Sequence, residues 1–399
     1  FQALSKLQKP NLKHEFWQYS STRWLEGKEW ELQESPVEAL GQEQDREESQ
    51  LVFFDGVFSA EESSFNFTTI EAKTLEEFSL QEPLALSGIN DLFSESQHDY
   101  FHHLNQAFLK NGFVFKVGSE KAKINLTFHW SNIEETKAYF SKNYFLVESG
   151  SSLSLTETHK VADGVESSLL FSSSYCDVIL KRSSHVRYKK LVEGDSSLQQ
   201  ISGCRFYLEE AAKLECFFVS LGGKFYRQDA VIKLAGRNAE AWANGLYLSG
   251  AKQSSDFSFI INHESPDTKS HQYFKGVCGG SGKGVFQGKI VVGEKASLTR
   301  AKQLNKNLLL SEEAKVYTKP QLQIDTDDVK CAHGATVSQI REEELFYLQT
   351  RGLTKAEATS FLIEGFCYEI LGMEEKRDKE IFKTQVQEKI RILLQEKQG

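Results

Sequence analysis

Methionine is nearly missing from this chain of 399 residues, proline is scarce at 5, and no two cysteines stand close together. Each shortage excludes something. The only methionine is Met373, and with Phe1 in first place the translated start is expected to lie elsewhere. No hydrophobic signal core follows in FQALSKLQKPNLKHEFW. The six cysteines (Cys176, Cys204, Cys216, Cys278, Cys331, Cys367) contain no CxxC pair, so neither a zinc knuckle nor a disulfide framework is indicated. That usage fits a reducing cytosol or an organelle stroma. No apolar run approaches the ~20 residues that span a bilayer. A net charge of −9 argues against a nucleic-acid binder that neutralises phosphates, and against attachment to an anionic membrane. No phosphate-cradling GxxxxGK[ST] loop occurs. In GGSGKGVF (Gly279 to Phe286) Lys283 reads as a turn residue, and ATP hydrolysis by this chain is not expected.

What the chain has is glycine, 27 residues, and phenylalanine, 29. Many turns with few forced breaks suit short strands, and rows of aromatic side chains suit a β interior. The length allows two or three domains. From Leu12 to about Gln50 the sequence is charged and broken, with an aromatic cluster at Phe16, Trp17 and Tyr19; GQEQDREESQ reads as a solvated linker. LVFFDGVFS predicts a strand pair turning at Asp55-Gly56. Between Asp91 and Gly112 the pattern is helical, with Tyr100, Leu104, Ala107 and Phe108 at spacings of three and four and Gly112 as a left-handed stop.

From Phe113 short apolar runs (FVFKV, INLTFHW, LECFFVSL, FSFIINH, KIVVGE) alternate with glycine, serine and asparagine turns for about 220 residues. That pattern allows a sandwich, a barrel or a solenoid. A turn phrase recurs near Leu153, Ala212, Ala239, Ala296 and Ala314. The last two stand 18 residues apart, near the length of one coil, and favour the solenoid. Helices return after residue 333. Ile340, Leu345 and Leu348 line the first, with Gly352 as its stop. The second opens on a Thr354–Glu357 capping box with Phe361, Leu362, Phe366 and Ile370 as its stripe, and the third buries Ile381, Val386, Ile390 and Leu393. These helices are expected to cap the open end of the coils. The reading is a mainly β protein with three regions: 1–112 mixed and helical, 113–333 a β-solenoid, 334–399 helical.

One stretch carries chemistry: DTDDVKCAHGATVSQIREEELFYLQTRG, Asp325 to Gly352. In an extended segment Cys331 and His333 share a face, and a thiolate and an imidazole are both ligands for iron or zinc. Two ligands do not close a site, so any metal here borrows ligands from elsewhere, for instance from another chain. The competing reading makes Cys331 a small buried hydrophobe and His333 a turn residue. Asp325, Asp327 and Asp328 lack calcium-loop spacing and read as a solvated turn. His102 and His103 face different ways on a helix, and His263 and His271 read as structural. Cys176, Cys204, Cys216 and Cys278, in or beside β runs, read as core thiols.

KCAHGAT followed by EEELFYLQTRG closely resembles the C-terminal signature of the SufB/SufD scaffold family of the SUF iron–sulfur cluster assembly machinery. EFWQYS, DYFHHLNQAFLKNGFVFKV, HESPDTKSHQYFKGV, GKGVFQGKIVV and NKNLLLSEEAKVYTKPQLQI support it in order. The likeness is strongest from Arg227 to Gly372. Gly334 stands where SufB has an acidic residue, which places the chain nearer SufD. The resemblance implies a right-handed parallel β-helix and a non-catalytic scaffold. It further implies pairing with a SufB-like homologue near the coil ends, or a homodimer through the same edge, and an ABC-type ATPase, SufC, that docks on the C-terminal helices. Tyr347 and Arg351 are candidates for that dock. Cys331 and His333 then help form a transient cluster between chains, and the isolated chain binds no cofactor stably. A reading from another class is a secreted β-helix enzyme acting on polysaccharide, with Asp256, Asp267 or the 325–328 cluster as its acids. A third is a solenoid without metal.

Overall fold

Each apolar run between turns forms one strand of about ten residues, and successive strands fall alternately into two sheets. The computed structural model describes residues 9–26, 29–32, 48–66, 68–93, 99–109, 112–118, 121–130, 137–161, 170–194, 198–372 and 376–396. The first sheet ends in strand Lys315–Ile324 and the second in strand Val329–Gln339. From Lys137 onward every pairing is parallel, and each strand bonds to the strand two further along, so the chain winds through about seven turns. A sandwich or barrel does not pair this way; the solenoid reading holds. The repeat is longer than 18 residues, however. Cys216 pairs with Ala243, Ala243 with Gln272 and Gln272 with Gln303, steps of 27–31 residues. Ala296 and Ala314 precede the two strands of a single coil, so the phrase marks corners and not coils.

Parallel in-register stacking sets like position on like. Phe145, Val178, Phe206, Ile232, Ile261 and Ile290 form one buried row through the interior. Each such side chain contributes about 1.5–3 kcal/mol by leaving water. The interior also holds charge. Glu157 lies 2.8 Å from Lys190 and 2.6 Å from His159, and accepts from the Tyr188 hydroxyl at 2.6 Å. Burial alone would raise the Glu157 carboxyl, but these partners hold it well below its usual range. Burial lowers His159 to about 4, so it is neutral.

The ends of the chain cover the sides of the stack. Asp55-Gly56 turns strand Ser49–Phe54 back onto Val57–Ser64 with both residues at positive φ (50° and 78°), as expected of this dipeptide. Residues 41–47 of the expected linker lie outside the described residues, and Ser49 already begins a strand. Two helices escaped the sequence reading: α1 (Leu75–Gln81), with a Thr74–Glu77 capping box, and α2 (Pro83–Asp91), with proline in its first turn. Helix α3 (Asp99–Phe108) follows. Gly112 is not a left-handed stop. It is glycine because a Cβ there would fall 2.1 Å from the Lys142 carbonyl oxygen.

Helix α3 and residues 9–26 and 29–32 lie across the outer face of the first sheet, pinned by buried charge. Arg227 reaches Asp256 at 2.6 Å and Asp229 at 2.7 Å, and lies 3.9 Å over the Trp17 ring. Asp177 takes Lys142 at 2.8 Å and the Arg205 Nε at 2.7 Å. Burial brings Lys142 down to about 8, and burial with Lys142 beside it holds the His102 imidazole well below its usual value. Lys283 is not a turn residue: it opens strand Lys283–Val292 and donates to the Tyr19 carbonyl oxygen.

At the other end, strand Val329–Gln339 continues past residue 334, because it pairs residue for residue with Thr299–Leu309. Helices α4 (Glu342–Thr350), α5 (Lys355–Leu371) and α6 (Lys376–Glu396) follow. Gly352, at φ +93°, stops α4 as expected. Helices α5 and α6 do not cap the open end as expected. Ile363, Cys367 and Ile370 of α5 and Phe382, Val386, Ile390 and Leu393 of α6 pack sideways on Phe217, Val219, Leu246, Leu248 and Val277 of the second sheet. The buried stripe of α5 is therefore shifted, and Phe361 points to solvent. The Ile381 side chain lies outside the described residues.

Replacing Asp177 by alanine leaves Lys142 and Arg205 buried without their carboxylate. That change should cost about 3–5 kcal/mol in urea unfolding. Arg182→Ala, which breaks an exposed pair with Glu210, should cost under about 1 kcal/mol. Equal losses would mean that the Asp177 cluster is solvated.

Candidate functional site

The second sheet ends at Val329–Gln339, which bonds along one edge to Thr299–Leu309 and, among the described residues, has no strand on the other. In this last coil Cys331 sits over Ala301 and His333 over Gln303. Ala301 belongs to the buried interior, and Cys331 packs against that cluster, so both partners of the pair stand in the inward phase of the strand. Two residues of strand separate their Cα atoms by about 7 Å. Cys331 is half-buried; His333 is exposed, because no further coil covers it. Burial raises the Cys331 thiol, and a hydrogen bond at the Ala301 backbone opposes this in part.

Beneath the pair the interior turns polar. Gln303 is buried and donates to Gln272 Oε1 at 2.6 Å, while its own Oε1 has no hydrogen-bond partner. Asn307 donates to Asn305 Oδ1 at 2.6 Å and accepts from the Tyr247 hydroxyl. From the facing sheet Gly288 leaves room for the Gln303 amide: a Cβ there would lie 2.1 Å from its nitrogen. Gln303 escaped the sequence reading, since only the strand register places it under His333.

The structure thus brings Cys331 and His333 to one face at an open end. Among the described residues no group of three or more His, Cys, Asp or Glu side chains could hold a metal ion. The chemistry present is a soft thiol and an imidazole awaiting further ligands. Asp325, Asp327 and Asp328 are largely exposed, as a solvated turn requires. Asp256, a candidate acid for polysaccharide, is fully buried against Arg227 and accepts from the Ser20 hydroxyl, so it lines no groove. Asp267 pairs with Arg237 at 2.7 Å. His263 is held by Thr268 and Ser270 at 2.8 and 2.9 Å. Cys176, Cys204, Cys216, Cys278 and Cys367 are buried, and burial pushes their thiols up, to about 12 for Cys278 and Cys367.

A second surface stands on the C-terminal helices. Phe346 and Tyr347 of α4 are 70% and 57% exposed, and Phe361 of α5 is 61% exposed, unusual values for such large rings. The Arg351 guanidinium lies 5.3 Å from the centre of the Tyr347 ring. The sequence candidates Tyr347 and Arg351 are therefore neighbours, with Phe346 added to them.

Among the described residues no helix is long and apolar enough to cross a membrane. The family described as "SUF system FeS cluster assembly, SufBD core domain" matches residues 129–366. The iron-sulfur cluster assembly SufBD family protein slr0076 of Synechocystis is 28% identical over 338 residues, 81% of this chain and 74% of its own length. The iron-sulfur cluster assembly protein SufD of Escherichia coli is 28% identical over 279 residues, 69% of this chain and 65% of that protein. The chloroplastic protein ABCI7 of Arabidopsis thaliana is 30% identical over 229 residues, 57% of this chain and 48% of its own. With the family core covering more than half of the sequence and the coils, core and end strand that carry it now described, the chain belongs to the SufBD family of SUF iron–sulfur cluster assembly proteins.

Proposed function

We propose that this chain is a SufD-type scaffold. It catalyses no reaction itself, pairs through its last coil with a SufB-like homologue, and contributes Cys331 and His333 to the place where a cluster forms and iron is acquired. The observation that carries the reading is the bare strand Val329–Gln339, which holds two ligand-type side chains and no third. An unpaired strand edge is a template for another strand, and proteins normally blunt it. Here Pro320 interrupts the terminal strand of the first sheet, but nothing interrupts that of the second. Gly334 in place of an acidic residue supports SufD over SufB. In the absence of SufB the same edge accommodates a second copy. The cluster is cargo: two ligands from each of two chains make a site that releases what it holds. The setting is the cytosol or an organelle stroma.

We assign docking of a SufC-like ABC ATPase to Phe346, Tyr347 and Arg351. Exposed aromatics beside an arginine are the usual anchors of an interface. Removing the helices is a poor test, because α5 and α6 cover Phe217, Val219, Leu246 and Leu248. Point changes are better. Tyr347→Ala with Arg351→Ala should weaken co-purification of the ATPase at least tenfold while the thermal midpoint stays put; unchanged binding moves the dock elsewhere.

Two measurements address the pair. In the three-subunit complex, Cys331→Ser or His333→Ala should abolish most of the visible absorption of the cluster and leave the gel-filtration profile intact. Normal cluster yield in both variants would make this chain a passive spacer. In the free chain, burial keeps the Cys331 thiol protonated at neutral pH. Iodoacetamide should therefore label it more slowly than free cysteine at pH 7.5, with the rate still climbing above the ordinary thiol value of about 8.5. Rapid labelling at pH 7.5 would show a thiolate already present.

A further inference from the structure

The C-terminal helices cover only part of the second sheet. On the uncovered part, parallel register builds two rows of outward side chains across six strands. The first row reads His185, Lys213, Glu240, Lys269, Arg300, Lys330, each paired with the next. The second reads Arg187, Glu215, Trp242, His271, Lys302, Ala332. Six lysines and arginines thus face two glutamates in a chain whose net charge is −9. Glu215 is taken by Arg187 at 3.0 Å, and Glu240 by Lys269 at 2.7 Å. Arg300, Lys302 and Lys330 are exposed and have no ion-pair partner among the described residues. At the rim Asp267 is held by Arg237, and Asp328 lies beside Lys330 in a shallow hollow.

A cavity of about 320 Å³ opens midway, lined by Arg187, Lys189 and Lys213, by Trp242 and Asn244, and by Glu215 and Glu240, the two carboxylates already paired with Arg187 and Lys269. Asn244 is 7% exposed, and its Oδ1 has no hydrogen-bond partner. A buried unpartnered acceptor is costly unless something fills it.

We infer that this face docks an acidic helix of a partner protein, laid along the solenoid axis across the strands. Strands repeat every ~4.8 Å and a helix advances 5.4 Å per turn. Carboxylates at i, i+4 and i+7 therefore meet successive cations, and over six strands the mismatch of about 3 Å is within reach of lysine side chains. The cavity takes one large side chain beside Trp242, with a donor for Asn244. A nucleic acid fits less well, because Glu215 and Glu240 would face an unbroken run of phosphates. The track ends at Lys330, on the outward side of the strand whose inward side carries Cys331. The docking rests on this geometry alone and stands or falls apart from the cluster reading.

The test uses the full chain and a fluorescently labelled 20-residue helical peptide bearing glutamates at i, i+4 spacing, followed by anisotropy. Binding should weaken steeply with salt. Lys269→Glu with Arg300→Glu should raise Kd at least tenfold, and the milder Arg300→Gln with Lys330→Gln should raise it severalfold. The control Lys224→Glu with Lys252→Glu, on exposed lysines outside the two rows, should leave Kd unchanged. Equal binding of a peptide with the same composition but a scattered stripe would overturn the proposal. So would equal weakening by the control pair, or tighter binding of duplex DNA or phosphatidylserine vesicles than of the peptide.

Discussion

A stack of parallel coils has to end somewhere, and at each end a row of backbone amides and carbonyls loses its partner. The rest of this molecule is arranged around that constraint. Along the sides, apolar and charged positions are buried under added elements: the N-terminal strap and α3 over the first sheet, α5 and α6 over the second. At the far end no described element is added. Strand Val329–Gln339 is mostly exposed although it is fully paired on one edge. Leaving this edge open while covering the walls leaves backbone donors and acceptors unpaired at the end where Cys331 and His333 stand.

The covers are held by different forces. On the second sheet the contact is mainly apolar, Ile363, Cys367 and Val386 against Phe217 and Leu246, with the buried Lys275 pairing with Glu369 and donating to the Phe366 carbonyl of α5 at 2.7 Å. On the first sheet it depends on Arg227, Asp229, Asp256 and the Phe16 carbonyl, to which Arg227 donates at 3.0 Å. Burial raises both aspartates even with the guanidinium beside them, so the cluster is not a strong source of stability. Its value is positional: a buried arginine with fixed partners accepts the strap in one register only. The strap also reaches the last coil, where Glu15 meets Lys319 at 3.1 Å and Tyr19 stacks on Tyr317 at 4.6 Å. The open end is thereby tied to the side wall.

Local patterns were legible and long-range ones were not. Alternation and glycine turns disclosed the strands, Asp55-Gly56 the hairpin, and the Thr354–Glu357 box the start of α5. The coil length was misjudged because corner phrases precede both strands of each coil, and only pairing tells corners from coils. The helical stripe says that α5 has an apolar side but not which surface receives it, so a lateral cover was mistaken for an end cap. AHGATVSQ has no strong preference of its own, so the sequence gives no sign that residues 334–339 extend a strand; its neighbour Thr299–Leu309 imposes the conformation. Cys331 and His333 were found because a two-residue spacing is a local property of a strand. Gln303, thirty residues earlier, was not.

The thiol's burial bears on how such a site works. A cysteine held protonated is a poor ligand, and a lone imidazole beside it closes nothing. Both conditions change when a second chain supplies further ligands and a metal, since a coordinated thiol gives up its proton. On the proposed pairing, the half-site is silent in the separate chain and active only in company. Beneath it, Gln272, Gln303, Asn305 and Asn307 are buried, so the last turns, like the coils that hold Glu157 and Lys190, carry polar groups inside. A wholly apolar end would pack more tightly, but it would offer an ionic cluster no hydrogen bonds and would penalise its charge.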